Sequence, residues 1–317
     1  MRRAIFILFS FLFLTPAFSQ EQGAGAALEA LLAGDYETAR ALAEPLAEKA
    51  DADAQHLLGY LYENGLGVET DLQRAVDLYD KAARAGQADA QFALGELART
   101  GDGVREAPDI AIGWYKLAAE QGHARANLRL GVMHLEGVGV DRDKARGVKF
   151  LMEAAEAGEP EAQRNLAIAY LSGDGVARHH PTAADWFAKA AEGGDMLAAY
   201  NLGLLLQSGD LDVPDLEASA TYMRKAAEAG FAPAMTGLGL LVHSGVDAEE
   251  SPADWFERAA EAGDPQGRFL YAVALSEGDG RERDAEAARL LVDGLIADSN
   301  VDPGLKEQAK KLRRRLR

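Results

Sequence analysis

Between Asp53 and Gly86 the apolar residues keep helical time. Ala54, Leu57, Leu58, Leu61 and Tyr62 stand at i, i+3, i+4, i+7 and i+8, the stripe of an amphipathic helix. Gly65-Leu66-Gly67 interrupts it, and glycine at a helix end accepts a left-handed backbone without a Cβ penalty. Asp71 is a candidate N-cap for a second helix that carries Ala75, Leu78, Tyr79, Ala82 and Ala83 and ends at Gly86. The next helix opens near Asp89. The pattern predicts helix, tight turn, helix, tight turn.

The unit recurs. Leu58-Gly59 returns as Leu94-Gly95, Leu130-Gly131, Leu166-Ala167, Leu202-Gly203 and Leu238-Gly239, a step of 36 residues each time. The alanine pairs Ala82-Ala83, Ala118-Ala119, Ala154-Ala155, Ala190-Ala191 and Ala226-Ala227 keep the same period. The step then shortens to 33 at Ala259-Ala260, and an abbreviated seventh copy carries Leu275, Gly278 and Gly280 in the places of Tyr62, Gly65 and Gly67. Self-similarity at a fixed period of about 20–50 residues marks a stack of one supersecondary unit, each copy touching only its neighbours.

Gly59 and its equivalents fall inside the first helix, where glycine costs roughly 1 kcal/mol against alanine. Five copies keep it. That predicts a side chain of the paired helix pressed against the backbone there, with the aromatics Tyr79, Tyr115, Phe187 and Phe256 as its source.

The string Ala54-x-x-x-Leu58-Gly59-x-x-Tyr62-x-x-Gly65-x-Gly67-Val68, followed by Ala75-x-x-x-Tyr79-x-Lys81-Ala82-Ala83-x-x-Gly86, resembles the Sel-1-like repeat, a relative of the tetratricopeptide repeat lengthened in the turn. The resemblance covers roughly residues 52–300. Leu211 and Asp247 depart from it at the second loop glycine, and Tyr271-Ala272 replaces Leu-Gly. The expected fold is all-α, a right-handed α/α solenoid of about seven helix-turn-helix repeats. Residues 20–51 read as N-terminal capping helices, 52–300 as the repeat solenoid and 301–317 as a basic C-terminal helix. That last helix opens on Asp302-Pro303 and aligns Leu305, Ala309, Leu312 and Leu316 on one face.

Composition narrows the function. Apolar residues make up 48% of the chain, enough for a continuous core, while aromatics are only 7%, which suits closely packed alanine-rich helices. The chain has no cysteine, which excludes disulfides, thiolate metal sites and a cysteine nucleophile. Residues 1–19, with Arg2-Arg3, an apolar core and Ala17-Phe18-Ser19, read as a secretory signal peptide cleaved after Ser19. With no cysteine for a lipid, the mature chain is expected to be periplasmic or secreted. The formal net charge of −18 disfavours a nucleic-acid partner, and reads first as a solubility device. Against it stands the tail, where Lys306, Lys310, Lys311, Arg313, Arg314, Arg315 and Arg317 face a lone Glu307. Such a helix either caps the acidic array or makes peripheral contact with anionic membrane lipid.

Catalytic motifs are missing from the sequence. There is no phosphate loop, no Gly-x-Ser-x-Gly elbow and no His-Glu-x-x-His. His179-His180 sit in a turn, and Asp210-Leu211-Asp212-Val213-Pro214 lacks the spacing of a calcium loop. No catalytic, metal-ligating or cofactor-binding residue is expected. Two columns, by contrast, drift from copy to copy: His56, Phe92, Leu128, Arg164, Tyr200, Thr236, and Tyr60, Glu96, Val132, Ile168, Leu204, Leu240. The resemblance implies that the first helix of each repeat lines a concave groove, so these columns are the expected recognition surface. The expected partner-binding residues are His56, Tyr60, Phe92, Arg164 and Tyr200, led by the aromatics. The reading is a non-catalytic protein–protein interaction scaffold or regulatory adaptor of the bacterial cell envelope. The alternatives are an envelope hydrolase or β-lactam-binding protein of similar repeat type, and a membrane-surface module acting through the basic tail. Relatives of the former kind are cysteine-rich, unlike this chain, which also has no Ser-x-x-Lys.

Overall fold

The computed structural model describes residues 24–246 and 249–316. The signal segment expected at 1–19 and the departing Asp247 lie outside the described residues. Within them all regular structure is helical, in seventeen helices without a strand. Two compact units divide the chain after Glu159.

The first unit contains α1 (Ala24–Leu32), α2 (Tyr36–Ala47), α3 (Ala52–Asn64), α4 (Leu72–Arg84), α5 (Ala88–Thr100), α6 (Pro108–Glu120), α7 (Ala124–Glu136) and α8 (Lys144–Glu156). The second contains α9 (Pro160–Ser172), α10 (His180–Glu192), α11 (Met196–Ser208), α12 (Leu216–Glu228), α13 (Ala232–His243), α14 (Pro252–Glu261), α15 (Pro265–Glu277), α16 (Ala285–Ala297) and α17 (Pro303–Arg315). In each unit consecutive helix pairs pack as a repeat solenoid, the all-α architecture that the periodicity predicts.

The turn inside each pair is fixed by the backbone. Gly65 closes α3 in the left-handed region (φ 65°, ψ 35°) and donates its N–H to the Leu61 carbonyl. The Asp71 N–H then reaches back to the Tyr62 carbonyl at 3.0 Å, and His179 to Tyr170, Asp215 to Leu206 and Asp284 to Leu275 repeat that bond at 2.9 Å. Where Leu211 replaces the second loop glycine, the positive φ moves one residue on, to Asp212 at 73°. Aspartate visits the left-handed region more readily than leucine, so the turn is kept by a shift.

Part of the acidity is capping. The carboxylates of Asp51, Asp71, Asp143, Asp195, Asp215, Asp264, Asp284 and Asp302 each accept a backbone N–H in the first turn of the helix that follows. Each such cap is worth about 1 kcal/mol.

Three of the five mid-helix glycines meet the aromatic partners that the sequence predicts, while the fourth aromatic, Phe187, packs in the repeat that has Ala167 in place of glycine. A Cβ on Gly59 would stand 2.6 Å from Tyr79 Cε1, and one on Gly239 would stand 2.6 Å from Phe256 Cε1; Gly95 meets the Tyr115 ring in the same way. Two copies use aliphatic partners instead: Gly131 faces Leu151 at 2.8 Å and Gly203 faces Met223 at 2.9 Å. At the second unit's end, Leu305, Ala309 and Leu312 of α17 are buried with Leu275 of α15 and with Val292 and Leu295 of α16. Arg313 pairs with Asp293 at 2.5 Å. The apolar side of α17 is thereby covered, while Lys311, Arg314 and Arg315 stay exposed.

Candidate interaction surface

The first helices carry the residues that the sequence points to. In the first unit, His56 packs against the Tyr79 ring at 5.6 Å, and burial pushes its imidazole below the usual histidine range. Phe92 stacks on His123 at 4.7 Å under the Arg125 guanidinium, 5.1 Å from the ring centre. His123 accepts the Ala126 N–H through Nδ1 at 3.1 Å and turns Nε2 toward Asp89 at 3.3 Å. Tyr60 is half-buried, and burial, then the Glu63 carboxylate, raises its phenol. In the second unit, Arg164 pairs with Asp195 at 2.8 Å, and Tyr200 sets its ring edgewise to Phe231 at 5.1 Å.

Four residues of the His56 column follow one rule. His123, Asp195, Phe231 and Asp264 are the N-cap residues of α7, α11, α13 and α15. Phe92, Arg164, Tyr200 and Thr236 each reach the N-cap of the next first helix, Thr236 by donating its hydroxyl to Asp264 at 2.5 Å. At these four copies the chemistry of the column changes together with its partner: ring on ring, cation on anion, hydroxyl on carboxylate. Phe92 and Tyr200 therefore offer edges, and the Arg164 charge is already matched. Asp89, His123 and Arg125, which share the Phe92 cluster, escaped the sequence reading. His123 occupies the same repeat position as Gln87 and Asp195, so the period itself was the signal.

The neighbouring column behaves differently in the two units. In the second, Ile168, Leu204 and Leu240 are 42%, 44% and 45% exposed on α9, α11 and α13, with Leu197 also exposed on α11. In the first, the same column holds Tyr60, Glu96 and Val132, all half-buried. Arg99 and Arg129 each approach the Glu96 carboxylate at 3.0 Å, and the Tyr115 hydroxyl donates to it. Burial alone would push Glu96 up, but these three donors outweigh it and hold the carboxyl below its ordinary value. The Tyr79 hydroxyl likewise donates to Glu63 at 2.6 Å, where burial prevails and raises the Glu63 carboxyl.

Among the described residues no group of histidine and acidic side chains could hold a metal ion, and no helix is long and apolar enough to cross a membrane. His179 caps α10, its Nδ1 accepting the Thr182 N–H at 3.2 Å, and His180 lies 3.3 Å from the Asp210 carbonyl.

Stacked helix pairs with an open first-helix face and conserved turn geometry between copies define an α/α repeat protein. The chain belongs to the Sel1 repeat family: the Sel1 repeat matches residues 52–87, 88–123, 124–159, 160–195, 197–231, 253–264 and 265–291. The unmatched stretch between 231 and 253 holds α13 and, in the sequence, the departing Asp247. The crystal structure of a Sel1 repeat protein from Oxalobacter formigenes superposes with a TM-score of 0.66 at 31% identity, over 76% of this chain and 97% of that one. The protective antigen c5321 of uropathogenic Escherichia coli, which displays an SLR fold, gives 0.49 at 22% identity over 93% of this chain and 83% of its own. Immunity protein PA5088 from Pseudomonas aeruginosa gives 0.47 at 22% identity over 70% and 88%. No match was found among curated proteins. Sel1 repeat proteins are generally protein-interaction scaffolds, typically without catalysis of their own.

Proposed function

We propose that this chain is a non-catalytic adaptor of the bacterial cell envelope that binds a segment of a partner protein along the first-helix face of its second unit. The observation that carries the reading is the ladder of Ile168, Leu204 and Leu240, one exposed aliphatic side chain per repeat. Single exposed leucines are unremarkable, but apolar side chains repeated along one face mark an interaction site. Covering each of them would contribute roughly 25 cal/mol per Å² of apolar area removed from water. Tyr200 on α11 and Arg164 on α9 border the ladder and would form its polar rim. His56, Tyr60 and Phe92 would present a separate aromatic and polar patch on the first unit. The apolar segment at residues 4–14 behind Arg2-Arg3 supports export. The cover over the apolar side of α17 leaves any membrane contact there to charge alone.

In-cell crosslinking of the tagged protein, followed by capture and mass spectrometry, tests this. The wild type is expected to capture one dominant envelope protein that Leu204→Glu/Leu240→Glu loses and Phe92→Ala retains. Equal capture by the ladder variant, or none by the wild type, overturns the proposed face. Recovery of the full-length chain in the cytoplasmic fraction overturns the proposed compartment.

A further inference from the structure

The solvent side of the second helices is polar on α4, α8, α10 and α12, whereas it is apolar on α6 and, at Leu290 and Gly294, on α16. At the place of Leu117, α4, α8, α10 and α12 carry Lys81, Glu153, Lys189 and Lys225, and at the place of Gly113 they carry Asp77, Lys149, Asp185 and Thr221. On α6 these positions hold Leu117 and Gly113, joined by Ile110, where α4 and α8 have Arg74 and Arg146. Ile110 is 55% and Leu117 44% exposed, and the half-buried Trp114 lies between them on the same face. Gly113 has no internal reason to be glycine. A Cβ there would meet nothing within 4 Å, whereas one on Gly95 would strike the Tyr115 ring. Glycine inside a helix is unfavourable relative to alanine, and here its effect is to flatten the exposed face.

This face borders a groove of about 710 Å³ between α4 and α6, floored by Val76, Leu94 and Leu97 with Trp114 in its wall. Its rim carries Asp77, Asp80, Glu106 and Asp109 against only Arg84 and Arg105. Arg84 is matched by Asp80 at 2.7 Å, so the remaining carboxylates set the sign of the rim.

We propose that this groove is a docking site for a cationic amphipathic helix of a partner protein. The Ile110–Leu117 face spans two turns, about 10 Å along the axis, a length that suits an apolar ridge of i, i+3, i+4 and i+7 anchors. Trp114 is the residue type that most often carries such contacts. Lysines or arginines flanking the ridge would face Asp77, Glu106 and Asp109, while an anionic segment or an anionic lipid surface would be repelled. The site is separate from the ladder of the second unit and stands or falls independently of it.

The test uses the full chain and two fluorescent peptides of one amphipathic pattern, one of leucine and lysine, the other of leucine and glutamate, followed by anisotropy at physiological salt. Ile110→Arg/Leu117→Lys installs the residues that α4 carries at the same places, so the fold is expected to hold, with circular-dichroism melting as the check. Asp77→Asn/Asp109→Asn removes the rim charge. The leucine–lysine peptide is expected to saturate the wild type at one equivalent and to bind each variant at least about tenfold more weakly, with Leu204→Glu unaffected. Equal binding to Ile110→Arg/Leu117→Lys, equal binding of the glutamate peptide, or no saturable binding overturns the proposal. So does self-association of the wild type in sedimentation that this variant abolishes, since a second copy would then be the occupant.

Discussion

The two units share turns, caps and alanine columns, yet fill their first helices differently. In the first unit the inner positions are largely polar, and most of these groups are hydrogen-bonded, the buried Asn127 Oδ1 and His134 ring nitrogens excepted. Gln55 donates to the Ala47 carbonyl and Gln91 to the Ala83 carbonyl, both at 3.1 Å, while Glu63 and Glu96 are held by tyrosine hydroxyls and, for Glu96, by two arginines. In the second unit Gln163 keeps the position of Gln55 and Gln91 on α9, but it passes to Ala199 and Met235 on α11 and α13, and the position of Glu96 passes to the exposed Ile168, Leu204 and Leu240. A buried polar group must be paired, so the first unit's side chains are committed to their own fold. An exposed leucine has no such commitment and is free for a partner. The framework columns suffice for the fold, and the inner columns are where two stretches of one array can be given different work.

The shared framework offers the sharpest break. Gly95→Val drives a branched side chain into the Tyr115 ring and is expected to cost about 3 kcal/mol, whereas Gly203→Val meets the flexible Met223 and should cost nearer about 1 kcal/mol. Urea unfolding of the two variants measures this, and equal losses would show that the ring does not make the first unit the more rigidly packed. A smaller effect separates the units by charge. Glu96→Gln leaves Arg99 and Arg129 facing a neutral amide and is expected to cost about 1–2 kcal/mol at neutral pH. Because Glu96 in the folded chain titrates below its ordinary 4.5, its stabilisation is fully present above that value and is lost as the pH falls through the depressed one. The wild type should therefore lose stability on acidification more steeply than Glu96→Gln, and parallel acid-unfolding curves would remove Glu96 from the account. Glu63 works in the other direction, since burial raises it. Its ionisation opposes folding, so Glu63→Gln should gain relative to wild type as the pH rises past the ordinary carboxylate range. The smallest effect belongs to the ladder. Leu204→Glu should change stability by less than about 0.5 kcal/mol in the same unfolding assay, and a large loss would mean that Leu204 serves the core.

The fold was legible because its signals are local. Helix stripes, loop glycines and N-cap aspartates act within a few residues, and the period multiplies each observation. Even Gly59 against Tyr79 followed from a glycine kept where alanine is preferred. The surface was less legible because exposure depends on which flank of a helix the next copy covers. Two columns four residues apart both vary along the chain. One, with Phe92 and Arg164, proved to be spent on the following N-cap, while the other, with Ile168 and Leu204, remained open in the second unit. Phe92 and His123 are joined by stacking across a repeat boundary, and nothing in either residue's immediate neighbourhood announces the other. The apolar face of α6 was in view as Ile110 and Leu117, but it stands out only when each second helix is set against its counterparts.

The paired junctions have a genetic consequence. Phe92 with His123, Arg164 with Asp195, Tyr200 with Phe231 and Thr236 with Asp264 act as addresses, each of these four repeats carrying a key matched to its successor. Unequal recombination that deleted or duplicated one copy would preserve every framework residue and still exchange these partners, leaving an arginine without its carboxylate or a hydroxyl against an aromatic ring. Arrays of near-identical modules are prone to exchange and misassembly, and private junctions oppose both. The order of the repeats is thus written into the protein as well as into its gene, and a new copy could be added only if both sides of its boundary changed together.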